Sequence, residues 1–268
     1  MNLGSVKRLK IALGATARNP EDVLRLHDLR LEFAEIAIED LNNFKKKINK
    51  FLELKEKTKL YYLCHGPKEG NPNNVTSLKR DYFPHILEIL DIMPTLNMSL
   101  LTLHLWMDRR FVKPDVIDFK IKLLKKIIDK AREGGIVICL ENLSEDWYDL
   151  KMAFSEIALL KLTLDMGHAQ LLREENASLG LIKAYPDRIR HIHLHDNIGG
   201  NTPDNDLHLP PGRGIVDLKN IFNALSKIGY MGTVTLELKP QEIESCLGFV
   251  KTFIPYGHGS LHGDNYRK

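Results

Sequence analysis

The chain predicts an α/β fold, a single parallel (β/α)8 barrel, on three observations. Eight short apolar runs with strand character recur along its 268 residues. Helical segments separate them, with strand starts roughly 25–40 residues apart, the size of one strand plus one crossover helix. The first run is followed by "GATARNPED", which lacks the Gly-rich phosphate loop that usually marks the rival doubly wound open sheet.

Taken in order, the strand runs are "KIALGAT" (10–16), "FAEIAIE" (33–39), "KLYYLCHG" (59–66) and "SLLTLHLW" (99–106), then "IVICLEN" (136–142), "LKLTLDMGH" (160–168), "IRHIHLHD" (189–196) and "GTVTLELK" (232–239). Between the fourth and fifth, "DVIDFKIKLLKKIIDKAREGG" sets Val116, Ile117, Ile121, Leu124, Ile127 and Ile128 on one helical stripe, and Gly134-Gly135 is a suitable stop. "DLKNIFNALSKIGY" reads as a second helix before the last strand, and Lys45 to Lys47 as the solvated face of another. No linker or low-complexity tract interrupts the series. The expectation is one barrel domain over residues 1–268, with an irregular tail at 255–268.

Composition allows this. Hydrophobic residues make up 43% and charged residues 27% of the chain, enough for a large core. The net charge of +3, from 38 basic and 35 acidic side chains, announces no nucleic-acid binder. Cys64, Cys139 and Cys246 are too few and too scattered for a disulfide framework, and Cys64 and Cys139 read as buried thiols. Neither a signal peptide nor a membrane span is evident, so the expected setting is the cytoplasm, away from membranes.

In such a barrel the C-terminal strand ends carry the chemistry. The third run ends in His65, the fourth in His104-Leu105-Trp106, the fifth in Glu141-Asn142 and the sixth in Asp165-Met166-Gly167-His168. The seventh carries His191, His193 and His195, and the eighth ends in Glu237. Alternation along a strand sets the three histidines on one face, opposite Ile192 and Leu194, and sets Thr233, Thr235 and Glu237 opposite Val234, Leu236 and Leu238. Gathering so many imidazoles and carboxylates at one mouth is costly unless a cation partners them. The loop "DNDLHLPPGRG" adds Asp206 and His208, two apart on one side of an extended segment whose path Pro210, Pro211 and the glycines restrict.

The pieces "LDMGH", "HLHD", "DLHLPPGRG" and "LELK" resemble the endonuclease IV branch of the xylose-isomerase-like barrels, over the third strand to the eighth. That resemblance implies a cluster of two or three Zn²⁺ ions. Glu141 would bridge two of them. His65 and His104 would belong to one metal, Asp165, His193 and Glu237 to a central group, and His168, Asp206 and His208 to a third. The implied activity is hydrolysis of a phosphodiester, with abasic-site DNA or another phosphoester as substrate. Glu141 would orient the attacking hydroxide, and Glu237 would be a ligand able to accept a proton. The sister branch, sugar and sugar-phosphate isomerases and epimerases, resembles the chain in a smaller set. Glu141, Asp165, His193 and Glu237 would surround one Mn²⁺, Mg²⁺ or Co²⁺, with Glu141 and Glu237 as the acid–base pair and His168 and Arg213 at the sugar.

The metal residues favour the first branch and the loops the second. The segment after His65, "GPKEGNPNNV", is polar and lacks the aromatic that the nuclease pattern carries there, and His195 replaces an amide side chain. Lys68, Arg109, Arg110, Lys113 and Arg213 form a modest basic set, offset by Asp108, Glu145, Asp146 and Asp204. The leading expectation is a metal-dependent phosphoesterase, with the isomerase or epimerase as the alternative. The substrate-binding candidates are Arg213, His195, Trp106 and Glu39.

Overall fold

The computed structural model describes residues 11–254. Lys10, the start of the first strand run, and the tail 255–268 lie outside them. Eight strands close into one parallel barrel in the order β1-β2-β3-β4-β5-β6-β7-β8, with β8 paired back to β1. Strands and helices follow one another as β1 (Ala12–Ala17), α1 (Pro20–Asp28), β2 (Phe33–Ala37), α2 (Leu41–Thr58), β3 (Tyr61–His65), α3 (Val75–Ser77), α4 (Phe83–Ile92), β4 (Leu100–Leu103), α5 (Pro114–Glu133), β5 (Val137–Glu141), α6 (Lys151–Glu156), β6 (Lys161–Asp165), α7 (Ser178–Ala184), β7 (Ile189–Leu194), α8 (Leu218–Lys227), β8 (Thr233–Leu236) and α9 (Pro240–Val250).

Local sequence explains the helix limits. Pro114 opens α5, where a missing N–H is harmless, and Gly135 beyond its end has φ +66. Asp40 and Asp217 cap α2 and α8, their carboxylates accepting from the amides of Asn43 and Asn220 at 3.0 Å. The predicted α5 stripe from Val116 to Ile128 is buried against the barrel wall.

The lumen changes character along its axis. Phe33, Leu63, Leu100 and Cys139 form a separate apolar floor inside the barrel, distinct from the large outer core between strands and helices. A β-carbon at Gly14 would lie 2.5 Å from the Phe33 ring, so the smallest residue faces the largest one there. Above the floor the inward residues turn polar. Thr102 and Thr163 share a hydrogen bond across the lumen at 2.9 Å, and the ligand-type side chains stand above them. All three cysteines are buried, but Cys139 belongs to the lumen floor rather than the outer core. Among the described residues, no helix is long and apolar enough to cross a membrane.

Candidate metal centre

Glu141, the last residue of β5, lies fully buried at the centre of a ring of imidazoles. Its Oε2 is 2.9 Å from His104 Nε2, 3.3 Å from His193 Nδ1 and 3.4 Å from His65 Nε2, and its Oε1 is 2.9 Å from His168 Nδ1. Glu237, one residue beyond β8, brings Oε1 to 3.6 Å from His193 Nδ1 and 3.7 Å from His65 Nε2, and Oε2 to 3.5 Å from His208 Nδ1. Asp206 Oδ2 spans His168 Nε2 and His208 Nε2, each at 3.2 Å. The residues read from the strand ends and from the Asp-x-His loop therefore meet in space.

Several of these residues are held from behind. His65 Nδ1 donates to the Gly66 carbonyl at 2.8 Å, which leaves Nε2 facing inward. The Tyr82 hydroxyl donates to the His104 carbonyl at 2.8 Å. Asn142 clamps the end of β6, accepting from the Asp165 amide and donating to the Asp165 carbonyl, both at 2.9 Å. His208 adopts φ +46, in the left-handed region, and its Nδ1 donates to the Glu237 carbonyl at 3.0 Å. Its ring stacks on His195, centroids 4.0 Å apart, and His195 Nε2 donates to Asp165 Oδ1 at 3.0 Å.

The polar loops outside the mouth also have structural work. Asp196, buried at the end of the seventh run, accepts from the amides of Asn197, Gly212 and Val216 at 2.8, 2.9 and 3.1 Å. This one carboxylate folds the PPGRG segment back over β7 and so places Asp206 and His208. Glu69, from the polar segment after His65, is buried against the equally buried Lys120 of α5 at 2.8 Å. Together they hold both backbone groups of Trp106, the carboxylate accepting its N–H and the ammonium donating to its carbonyl, each at 2.7 Å.

Electrostatics follow from this crowding. Burial raises the Glu141 carboxyl, but His104 and His193 outweigh it and hold the group well below the usual carboxylate range. Burial likewise opposes Asp165 and Asp206, and the histidines beside each bring both below the ordinary aspartate value. For His168 and His193 burial disfavours the cation, yet Asp165 and Asp206 beside the first, and Glu35, Glu237 and Glu141 beside the second, carry both well above the ordinary imidazole value. His208 is pushed up to about 9 by Asp206 and Glu237 against its burial. At His104 burial prevails and the pKa falls.

The donor set fits divalent metal. Among the described residues, His65 Nε2, Glu141 Oε1, His168 Nδ1, His193 Nδ1, Asp206 Oδ1 and Glu237 Oε2 are buried and make no well-aligned hydrogen bond, the 2.9 Å approach of Glu141 Oε1 to His168 Nδ1 included. Buried polar atoms are seldom left so, and all six belong to side chains of this one cluster. Glu141, Asp165, His168 and Glu237 bring one donor atom each within 4.8 Å of the others. His65, Glu141 and His193 do the same, as do His168, His195, His208 and Glu237. Imidazole and carboxylate without thiolate suit zinc or manganese.

Some expected residues stand elsewhere. Glu39 is no part of the cluster: its side chain is 69% exposed and lies 3.7 Å from Arg18. Although it shares the parity of the inward residues, β2 ends at Ala37 and the chain has turned outward before it. The carboxylate that β2 does contribute is Glu35, fully buried, 3.0 Å from His193 Nε2 and 3.2 Å from His191 Nε2. A lone Glu in the middle of an apolar strand run was the available signal. Trp106 turns its indole N–H to Ser144 Oγ at 2.8 Å and stacks on Phe111. Arg213 is exposed on the loop.

The model of the xylose isomerase-like TIM barrel family matches residues 25–251. The chain belongs to that family. It is 25% identical over 250 residues to an uncharacterized protein of Methanocaldococcus jannaschii, covering 89% of this chain and 95% of that one. It is 27% identical over 135 residues to an inosose dehydratase of Lacticaseibacillus casei, covering 42% and 44% of the two chains. Similar folds include a D-tagatose 3-epimerase-like protein, with TM-score 0.78, 21% identity and coverage of 91% and 97%. Another is the IolI protein with a bound zinc atom, with TM-score 0.74, 16% identity and coverage of 91% and 98%.

Proposed function

We propose that the protein is a divalent-metal-dependent enzyme of the sugar isomerase and epimerase type, moving a proton at a carbon next to a carbonyl of a small sugar or polyol-derived ketone. The observation that carries this reading is the convergence of Glu141 and Glu237, each with an unpartnered buried oxygen, on the same imidazoles at the barrel mouth. A bound ion would polarise the substrate's carbonyl and hydroxyl oxygens and so acidify the adjoining C–H. Asp165, His193, Glu141 and Glu237 would hold it. One glutamate removes the proton and the other returns it. Glu237 lies nearer solvent, its side chain 9% exposed against 0% for Glu141. The comparisons support this branch over the phosphoesterase expected from the motifs, since the informative names among them are a D-tagatose 3-epimerase-like protein and an inosose dehydratase. The mouth agrees. Arg110 is committed to Asp108, and Arg173 to Asp146 and Asp149, which removes cations that a duplex would need.

One observation favours the second reading. His65, His104, Asp206 and His208 add donors beyond the set a single ion needs, and a site of two or three ions would suit phosphoester hydrolysis. The test is direct. Metal content per chain is measured, and the metal-replete protein is incubated in D2O with ketoses, inososes and their phosphates. We expect solvent deuterium at the carbon beside the carbonyl, and a loss of about 10²–10⁴-fold in Glu237→Gln. Nicking of an abasic duplex by the same protein, with no exchange into any ketone, would overturn the reading.

A further inference from the structure

Beneath the proposed metal centre lies a second polar layer, in which Glu35, His191 and His193 bring one donor atom each within 4.8 Å of the others. Glu35 points into the lumen from β2 and reaches across it to β7. Its Oε2 is 3.0 Å from His193 Nε2 and 3.2 Å from His191 Nε2, and its Oε1 is 3.2 Å from His193 Nε2. His191 is fixed in turn: Nδ1 lies 2.5 Å from the Thr233 hydroxyl and Nε2 3.1 Å from that of Thr235. Glu35, His191 and His193 are all fully buried. Bulky aliphatic residues ordinarily fill this level of a barrel, and a buried carboxylate is costly unless hydrogen-bonded. Here every Glu35 oxygen has a partner. The layer is therefore satisfied in itself, unlike the one above it.

The two layers share one residue. His193 turns Nε2 down to Glu35 and Nδ1 up to Glu141, Asp165 and Glu237, at 3.3, 3.7 and 3.6 Å, where Nδ1 has no hydrogen bond. A carboxylate can only accept, so Nε2 must carry a proton. The nitrogen left to offer a lone pair is then Nδ1. We propose that Glu35, braced by His191, is a positioning residue that holds the His193 ring in its Nε2–H form and so presents Nδ1 to the metal. This rests on the reading of His193 as a ligand. A carboxylate behind a ligating imidazole orients the ring and raises its basicity, and its loss lowers metal affinity roughly 10–100-fold.

Glu35→Gln keeps the volume but can offer an amide N–H to Nε2, which would drive the proton onto Nδ1. We expect the variant to bind Zn²⁺ or Co²⁺ roughly 10–100-fold more weakly than wild type by chelator competition. The metal-free forms should keep the same far-ultraviolet circular dichroism. Independently of any variant, ¹⁵N spectra of the zinc-loaded wild type should show His193 with a protected Nε2–H and a metal-bound Nδ1. That measurement decides the matter if Glu35→Gln does not fold. Equal affinity in the two proteins, or a His193 that carries its proton on Nδ1, would overturn the inference alone. Wild-type protein that takes up no divalent ion would overturn the reading of the whole centre.

Discussion

A β-carbon on Gly167 would sit 2.2 Å from the His195 ring, so the glycine of the "DMGH" motif is set by its neighbour rather than by backbone conformation. Gly167→Ala should displace that ring and its hydrogen bond to Asp165, at a cost of about 1–3 kcal/mol for overpacking. Denaturant unfolding of the metal-free protein would show it. An unchanged midpoint would mean that the ring moves aside freely. At this scale the inward residues of the strand ends were legible, because alternation by two is strict while a strand lasts. Glu39 shows the limit of that rule. Parity carries no meaning once the strand has ended, and Glu35, two turns of the pleat earlier, was hidden within an apolar run.

At the scale of elements, the strands end sooner than their apolar runs do. Residues 104–106 and 166–168 leave the ladder at the ends of β4 and β6, and His168 sits in a 3-10 turn. Alternation alone cannot aim such residues; loop anchors do. Asp196 is the anchor of the loop that carries Asp206 and His208. Asp196→Ala would strand three amide donors, at about 1–3 kcal/mol for each one that stays buried. We expect protease cleavage between residues 204 and 214 and weaker metal retention, with the wild-type loop intact under the same conditions. A variant loop equally resistant would show that Pro210 and Pro211 suffice to hold it. The pair Glu69 and Lys120 plays the corresponding part for the loop after β4. The polar segment after His65 thus supplies one half of a buried ion pair whose other half comes from α5.

For the whole molecule, the closed barrel turns separate acids and bases into one coupled set. His168, His193 and His208 are raised by the carboxylates beside them, and a metal must displace the protons they carry. Affinity for Zn²⁺ should therefore climb as pH rises from about 6.5, the ordinary imidazole value, towards the His208 value of about 9. Calorimetry in two buffers of different ionisation heat should record proton release on binding. Affinity that is flat with pH would contradict the pairing. Stabilisation by metal should grow with the logarithm of its concentration.

The order of runs and helices was enough to determine a (β/α)8 barrel, because burying both faces of a parallel sheet leaves a local and repetitive mark on the chain. It also determined the chemical types at the mouth, since ligand residues stand at successive strand ends. Only the tertiary structure decided which of them meet, and in what protonation state. Glu35 touches His193 from 158 residues away, and no spacing along a chain records a distance across a lumen.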